Sequence, residues 1–431
     1  MTMRRTFLTA AVVALSAALT ACGTANKPAS GGSSGSNELT VWFPGNSQVE
    51  IDLVTKTLIP KFEQQTGSKV TVTYIDWPNI SPKLTTAFAS GTTPDVWGHG
   101  TAAASGFVAN DRVLALDDRI NAMPASDRED LKALLDMGVV DGKHYISPLS
   151  ASGTLLVYRK DILQAAGVDP ATLTSWESVY DAARKLKTGS RSGLQILTTP
   201  IADEQSFIAL LTSDGGTMLS SDGKSATFNS PAGVDALSYM VKLYQGDGAV
   251  ATGVGDDYLS RPPAQQPLAL GTAAIAQLGP NQLLQLVAAK PDLAGKLGVL
   301  SPPSMGGHPG RAYGGVGTGL FISKDSKNQD LAWKFLQFMA SPDVSNQYAQ
   351  AIGSIPIRKS AASSDYVTKN PLLTTFLTAQ PSYVANPNVP AWVQVRDVLS
   401  RYLQQALAGK TPPKEALDKA ATEVKPLLEK S

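Results

Sequence analysis

Cysteine is nearly absent from this sequence: of 431 residues, Cys22 alone is a cysteine. No intramolecular disulfide can form, so an exported chain of this kind would rely on burial. Histidine is scarce too. His99, His144 and His308 are the full set, and none is paired at metal-ligand spacing. There is no HExxH and no P-loop, so neither a zinc hydrolase nor a nucleotide hydrolase is indicated. An excess of one charge is also missing. Lys and Arg total 37 and Asp and Glu total 36, which gives no basic face for nucleic acid. The stretch from Gly98 to Ala103, GHGTAA, fits a loose G-x-G-x-x-A dinucleotide pattern. Its preceding strand is short and no clear ribose-binding acid follows, so no cofactor is expected. No metal is expected either, and no internal repeat is visible.

What is present begins at the N-terminus. Arg4 and Arg5 precede an apolar run over residues 7–19, followed by Leu19-Thr20-Ala21-Cys22. A charged start, an apolar middle and a small-residue cleavage site describe an export signal, removed after residue 21. The run is too short to span a bilayer comfortably. Leu-Thr-Ala-Cys resembles the lipobox of bacterial lipoproteins, which implies lipidation of Cys22. Arg4-Arg5-Thr6-Phe7-Leu8 also resembles a twin-arginine signal, and the export route stays open between the two. Residues 22–37 are rich in Gly and Ser and read as a flexible tether. The tether contains Gly31-Gly32-Ser33-Ser34-Gly35, a literal nucleophile-elbow match. That motif needs a strand before it and a helix after it, and a low-complexity linker supplies neither.

With 43% hydrophobic residues, the rest is long enough for two domains of about 150–200 residues each. Residues 39–43 read as a buried strand, followed by a helical pattern carrying Val49, Leu53, Val54, Leu58 and Phe62. Residues 70–75 alternate as a second strand. A helix with Leu84 and Phe88 leads to a third strand at 95–97. Further strands are expected at 154–158, 194–199, 273–278 and 316–322. Helices lie between them, among them one opened by a capping box at Thr174-Ser175-Trp176-Glu177 and one by Pro231. Alternating strands and helices predict an α/β protein with largely parallel sheets.

Four blocks then carry a resemblance. Pro94-Asp95-Val96 with Phe107 and Val113 to Asp118 is the first. Asp141 to Pro148 and Leu156 to Asp161 form the second, leading to Ala166-Gly167-Val168-Asp169-Pro170. Gly319 to Ser323 with Ala332 to Leu336 is the third, and Gly353 to Ser360 the fourth. In that order they resemble the family 1 extracellular solute-binding proteins over nearly all of residues 38–431. The resemblance implies an α/β, two-lobe periplasmic-binding-protein type II fold with three interlobe crossovers, near 146–150, 298–303 and 353–357. The N-lobe would be 38–147 with 304–355, and the C-lobe 148–303 with 356–430. It implies the substrate-binding component of an ABC importer that captures a small carbohydrate. Its partners would be the permease subunits, with the membrane met through the lipid anchor only and the protein a monomer on the outer face of the cell membrane.

A sugar offers apolar C–H faces to aromatic rings and an edge of hydroxyls to planar polar groups. Trp77, beside Pro78 after the second strand, and Trp97, ahead of Gly98, are candidates by position. Asn46 and Gln48 stand at a helix N-terminus, Ser150 and Ser152 just past the first crossover, and Asp203-Glu204 just past the 194–199 strand. The resemblance adds Trp392, whose Trp-x-x-Val-Arg register matches a sugar-stacking tryptophan, and His99, near another aromatic contact. It also adds Tyr313 with Gly314 and Gly315 as a ligand-facing lead-in, and the turn from Gln277 to Asn281. Asn281 replaces an aromatic there, which favours a smaller or more polar ligand. Trp42, Trp176 and Trp333 are expected in the core. Arg358 is open between a structural arginine and a phosphate contact, since the family includes glycerophosphodiester binders. That ligand class, and a lipid-anchored glycoside hydrolase, are the alternatives to a sugar carrier.

Overall fold

The computed structural model describes residues 37–430. The export signal, Cys22 and the tether expected above lie outside the described residues, apart from Asn37.

Strand β1 (Glu38–Pro44) forms where the apolar residues alternate, so that Leu39, Val41 and Phe43 all face inward. It lies between β2 (Lys69–Ile75) and β3 (Val96–His99), parallel to both. A small hairpin follows, β4 (Val139–Val140) with β5 (Lys143–His144). The remaining strands are β6 (Ser147–Gly153), β7 (Leu155–Arg159), β8 (Ser192–Gln195), β9 (Ala273–Leu278), β10 (Leu297–Val299), β11 (Ala312–Ile322) and β12 (Tyr383–Val384). They build two main sheets. One is six-stranded in the order β12-β11-β3-β1-β2, with β6 also paired to β11. The other is β10-β7-β9-β8. β9 is buried at every residue, as a strand covered on both faces must be.

Helices cover the sheets through apolar faces. On the first sheet, Gln48–Leu53 continues through a π-helical stretch, Val54–Leu58, into Ile59–Thr66, which Gly67 ends in the left-handed conformation. Phe62 of that helix meets Phe335 of Gln329–Met339 edge-on, 5.3 Å between centroids. The second core gathers Trp176–Leu186, Ala202–Ser213, Pro231–Tyr244, Trp392–Leu407 and Pro413–Leu428. No helix among the described residues is long and apolar enough to cross a membrane.

Two local expectations shift. The capping box starts one residue later, at Ser175: its hydroxyl accepts the Ser178 N–H and its own N–H donates to the Ser178 hydroxyl, each at 3.1 Å, and Glu177 takes no part. The strand expected to reach residue 199 stops at Gln195, because the Leu197 N–H is taken by the side chain of Gln277.

β6 and β11 run antiparallel and carry the chain between the sheets. β6 belongs to the first sheet through Gly153 and β7 begins the second at Leu155, so the first passage falls at Thr154, beyond the expected 146–150. The return lies between Val299 and Ala312. A third passage is marked by Ile355, which bridges to Ala151 of β6. The ladder is tight. A Cβ on Gly153 would stand 2.5 Å from the Tyr383 ring, and one on Gly314 2.7 Å from the Gly153 Cα.

Candidate functional site

The C-terminal ends of β1, β2 and β3 open on one edge of the first sheet, and those of β8 and β9 on an edge of the second. Ligands of open α/β sheets sit at such edges.

On the first sheet, His99 closes β3. Its ring meets Trp77 edge-on at 6.1 Å and Phe107 at 5.5 Å, and its Nε2 lies 2.9 Å from the Ser81 hydroxyl. Burial pushes the imidazole pKa down, which keeps the ring neutral at pH 7. Trp77 is 46% exposed, a high value for a tryptophan at a site edge. Asn46 and Gln48 are exposed, and Gln48 donates to Asp52 on its own helix at 2.7 Å. Trp97 needs correction as a cleft residue. It is fully buried, lies near-parallel to Phe321 and has Phe88 and Phe107 at its edges. Trp97 shares its face of β3 with His99, two residues on, and both touch Phe107, but Trp97 lies deeper in the strand, where Phe88 and Phe321 also enclose it.

The crossing strands carry four further candidates and account for three of them, Ser150, Gly314 and Gly315, in structural terms. The Ser150 hydroxyl accepts the Thr318 N–H at 2.9 Å and so caps an irregularity in the ladder. Ser152 is exposed opposite Gly315. Gly314 admits the close approach of Gly153, and Gly315, at φ 133°, stands where a Cβ would be 2.4 Å from the Met137 sulfur. Packing, rather than donation to a ligand, explains both glycines. Tyr313 is different: its hydroxyl is buried beside Asn386, in the field of Glu204 and Arg396, and burial raises its pKa.

On the second sheet, Gln277 is fully engaged. Its Oε1 accepts from Ser206 and from Leu197 N–H, and its Nε2 donates to Thr154. Asn281 donates to the Ile352 carbonyl at 2.8 Å, tying the helix after β9 to the end of Pro342–Ile352. Arg358 is buried and spent: Nε donates to the Ala340 carbonyl at 2.6 Å, and Nη1 to Asp127 and Asp130 at 2.8 and 3.0 Å. The structural reading of that arginine holds, and no guanidinium is left for a phosphate. Glu204 is 1% exposed on helix Ala202–Ser213. Burial lifts its pKa to about 8, against the pull of Arg396. Trp392 opens helix Trp392–Leu407, one turn before Arg396, and needs correction as a stacking residue: its ring is 1% exposed and packed in the second core, so no face is offered to a sugar and only its indole N–H lacks a partner.

The two edges meet where the Ser105 N–H donates to Asn388 Oδ1 at 2.9 Å, and where Ala102 packs on the second core. At this junction the hydrogen bonding is incomplete. Thirteen buried side-chain polar atoms among the described residues have no partner, and six of them fall here: His99 Nδ1, Ser105 Oγ, Glu204 Oε1, Asn386 Oδ1, Asn388 Nδ2 and Trp392 Nε1. Each such group costs about 1–3 kcal/mol. Native structures leave few of them, so a concentration in one place calls for a missing partner. Of the residues expected from sequence, Glu204 and Tyr313 interact with each other and with Arg396, while His99 stands on the first sheet opposite Gly319 and Trp392 lies in the second core. Ser105, Asn386, Asn388 and Arg396 were not anticipated. Asn386-Pro387-Asn388 had turn character but no chemistry of its own, and Arg396 entered only as support for the Trp392 register.

A sequence profile of the bacterial extracellular solute-binding proteins matches residues 57–375. The chain belongs to that family. It is 26% identical over 380 residues to the diacetylchitobiose binding protein of Streptomyces coelicolor, covering 87% of this chain and 86% of the relative. To the maltooligosaccharide ABC transporter solute-binding lipoprotein of Streptococcus pneumoniae it is 25% identical over 438 residues, covering 98% and 97%. The structure of the sugar-binding protein MalE from Xanthomonas citri superposes with a TM-score of 0.81 at 22% identity, over 91% of this chain and 98% of that one. That likeness identifies the two sheets as the two lobes of a type II binding-protein fold.

The titration of the buried carboxyls gives a test. Glu204, at about 8, and Asp203, at about 6, both titrate above their ordinary values because of burial. The native state therefore holds protons that the unfolded chain has released, and stability falls as pH rises through these values. The unliganded protein should melt lower at pH 8.5 than at pH 5.5. Glu204→Gln should flatten that dependence, as thermal unfolding across pH would show.

Proposed function

We propose that this protein captures a small, neutral carbohydrate between its lobes and delivers it to the permease of an ABC importer. The observation that carries the reading is the set of six unpartnered polar atoms at the junction of the lobes. It contains donors (Trp392 Nε1, Asn388 Nδ2), an acceptor (Asn386 Oδ1) and groups that can do either. Sugar hydroxyls are both donor and acceptor, and satisfy such a mixed set. The relatives that bind diacetylchitobiose and maltooligosaccharides support the class. A phosphodiester is disfavoured: Arg358 is already paired, and Arg396 is held at 2.8 Å by Asp397. A glycosidase needs two working carboxyls, whereas Asp203 beside Glu204 has both oxygens hydrogen-bonded.

The capture motion in this reading is closure of the lobe built on the first sheet, which includes β6 and β12, on the lobe built on the second. The protein would act as a monomer, tethered through residues 23–37 to a lipidated Cys22 on the outer face of the cell membrane. The lipoprotein relative from Streptococcus pneumoniae supports the anchor.

A thermal-shift screen of mono- and disaccharides, sugar amines and glycerophosphodiesters should raise the melting temperature with a neutral sugar, since that ligand binds only the native state. A shift confined to glycerophosphodiesters would overturn the reading. With the sugar found, Trp392→Phe keeps an aromatic ring and removes the unpartnered N–H. Losing one hydrogen bond of about 0.5–1.5 kcal/mol should weaken binding roughly 2- to 13-fold by calorimetry. Unchanged affinity would remove that N–H from the site. For the anchor, Cys22→Ala should release the protein from the membrane fraction into the medium. Continued membrane association would contradict lipidation.

A further inference from the structure

The helix Trp392–Leu407 presents Trp392, Arg396, Ser400 and Gln404 at steps of four residues. Four residues turn about 400°, so these side chains form one slowly winding stripe. The first two face the candidate site. The last two do something else: they bind the segment that delivers Glu204. The Ser400 hydroxyl donates to Asp203 Oδ1 at 2.8 Å and accepts the Ile201 N–H at 3.1 Å. The Gln404 amide donates to Asp203 Oδ2 at 2.7 Å and to the Thr198 carbonyl at 2.8 Å. Asp203 Oδ1 also accepts the Glu204 backbone N–H at 2.8 Å. Asp203 is completely buried.

The backbone leading into this joint is strained. Ile201, immediately before helix Ala202–Ser213, sits at φ 76° and ψ −45°, a conformation close to a γ-turn. For a β-branched residue this is an outlier that persists only when the surroundings over-determine it. Ser400 and Gln404 are those surroundings.

We propose that Asp203 is the positioning residue of the ligand site. By joining Ser400, Gln404 and the Glu204 N–H, it registers helix Ala202–Ser213 against the Trp392–Leu407 stripe, and so holds the Glu204 carboxyl in the field of Arg396. Asp203 itself touches no ligand, because both its oxygens are occupied. The inference rests on the reading of Glu204 as a ligand contact, but its test reads Glu204 directly.

Two variants separate position from charge. Asp203→Asn and Asp203→Ala both remove the neighbouring negative charge. Only the asparagine keeps an oxygen for Ser400 and the Glu204 N–H, two of the three bonds of the joint. The charged and titratable groups facing Glu204 are Arg396, Asp203 and Tyr313, and two of the three are untouched. The Glu204 carboxyl is followed by carbon-13 NMR titration in the purified full chain, with no ligand present. Asp203→Asn should leave Glu204 titrating well above the ordinary carboxylate range. Asp203→Ala should let it fall back toward that range while the protein still unfolds cooperatively. Equal titration of Glu204 in the two variants would overturn the proposal, since Asp203 would then act through charge alone. Should Asp203→Ala fail to fold, Ser400→Ala, which breaks one of the three bonds, should move Glu204 the same way by a smaller amount, and no movement would count against the joint. A loss of sugar affinity in Asp203→Ala larger than in Asp203→Asn is the matching readout in binding. If Glu204→Gln leaves sugar affinity unchanged, the site reading fails and the positioning result stands on its own.

Discussion

The antiparallel pairing of β6 with β11 is the constraint on which the other features depend. These strands belong to the first sheet, yet each connects directly to the second, so their register sets how the two sheets face each other. The pairing tolerates almost nothing at its centre. Gly153 and Gly314 oppose each other under the Tyr383 ring, and any side chain there would separate the strands or expel the ring. Tyr313, one residue before the tight stretch, is thereby held with its phenol toward Glu204, and Gly319, near the other end, is paired with His99. One strand thus touches both halves of the candidate site.

Around that strand the chain follows an uneven policy toward buried polar groups. Several of them are satisfied in full, although seven unpartnered atoms among the described residues lie away from the junction. Arg358 has three partners, Gln277 three and Asp203 three. At the junction they are not. A folded chain accepts the cost of an unpaired buried group where a partner arrives from outside. The same burial that leaves Glu204 without a partner raises its pKa, so the shift and the missing hydrogen bond have one cause.

The sequence made the architecture legible because strands and helices are repeated local patterns. Residues 273–278 were readable as a strand to the residue, since five small and aliphatic side chains with Gln277, bounded by Gly271 and Gly279, leave little choice. β6 was read only as a crossover, because SPLSASG lacks β-branched residues and becomes a strand through its partner β11. The site was less legible, and for a physical reason. Glu204 was named from its place after a strand and Trp392 from the family resemblance, but whether a tryptophan faces a ligand or a core depends on what the rest of the chain packs around it. Trp97 and Trp392 look alike in one dimension. In three, Trp97 stands among Phe88, Phe107 and Phe321, while Trp392 begins a stripe that continues through Arg396. Arg358 could not be resolved from sequence, because its partners Asp127 and Asp130 lie more than two hundred residues away.

The central claim is that one neutral sugar completes the hydrogen bonding of both lobes at their junction. A crystal structure of the complex with the best sugar from the screen tests this most directly. The account predicts sugar hydroxyls within hydrogen-bond distance of Glu204 Oε1 and of at least one of His99 Nδ1 and Ser105 Oγ, so that both lobes touch the same molecule. A sugar bound elsewhere, with Glu204 Oε1 still unpartnered, would contradict it.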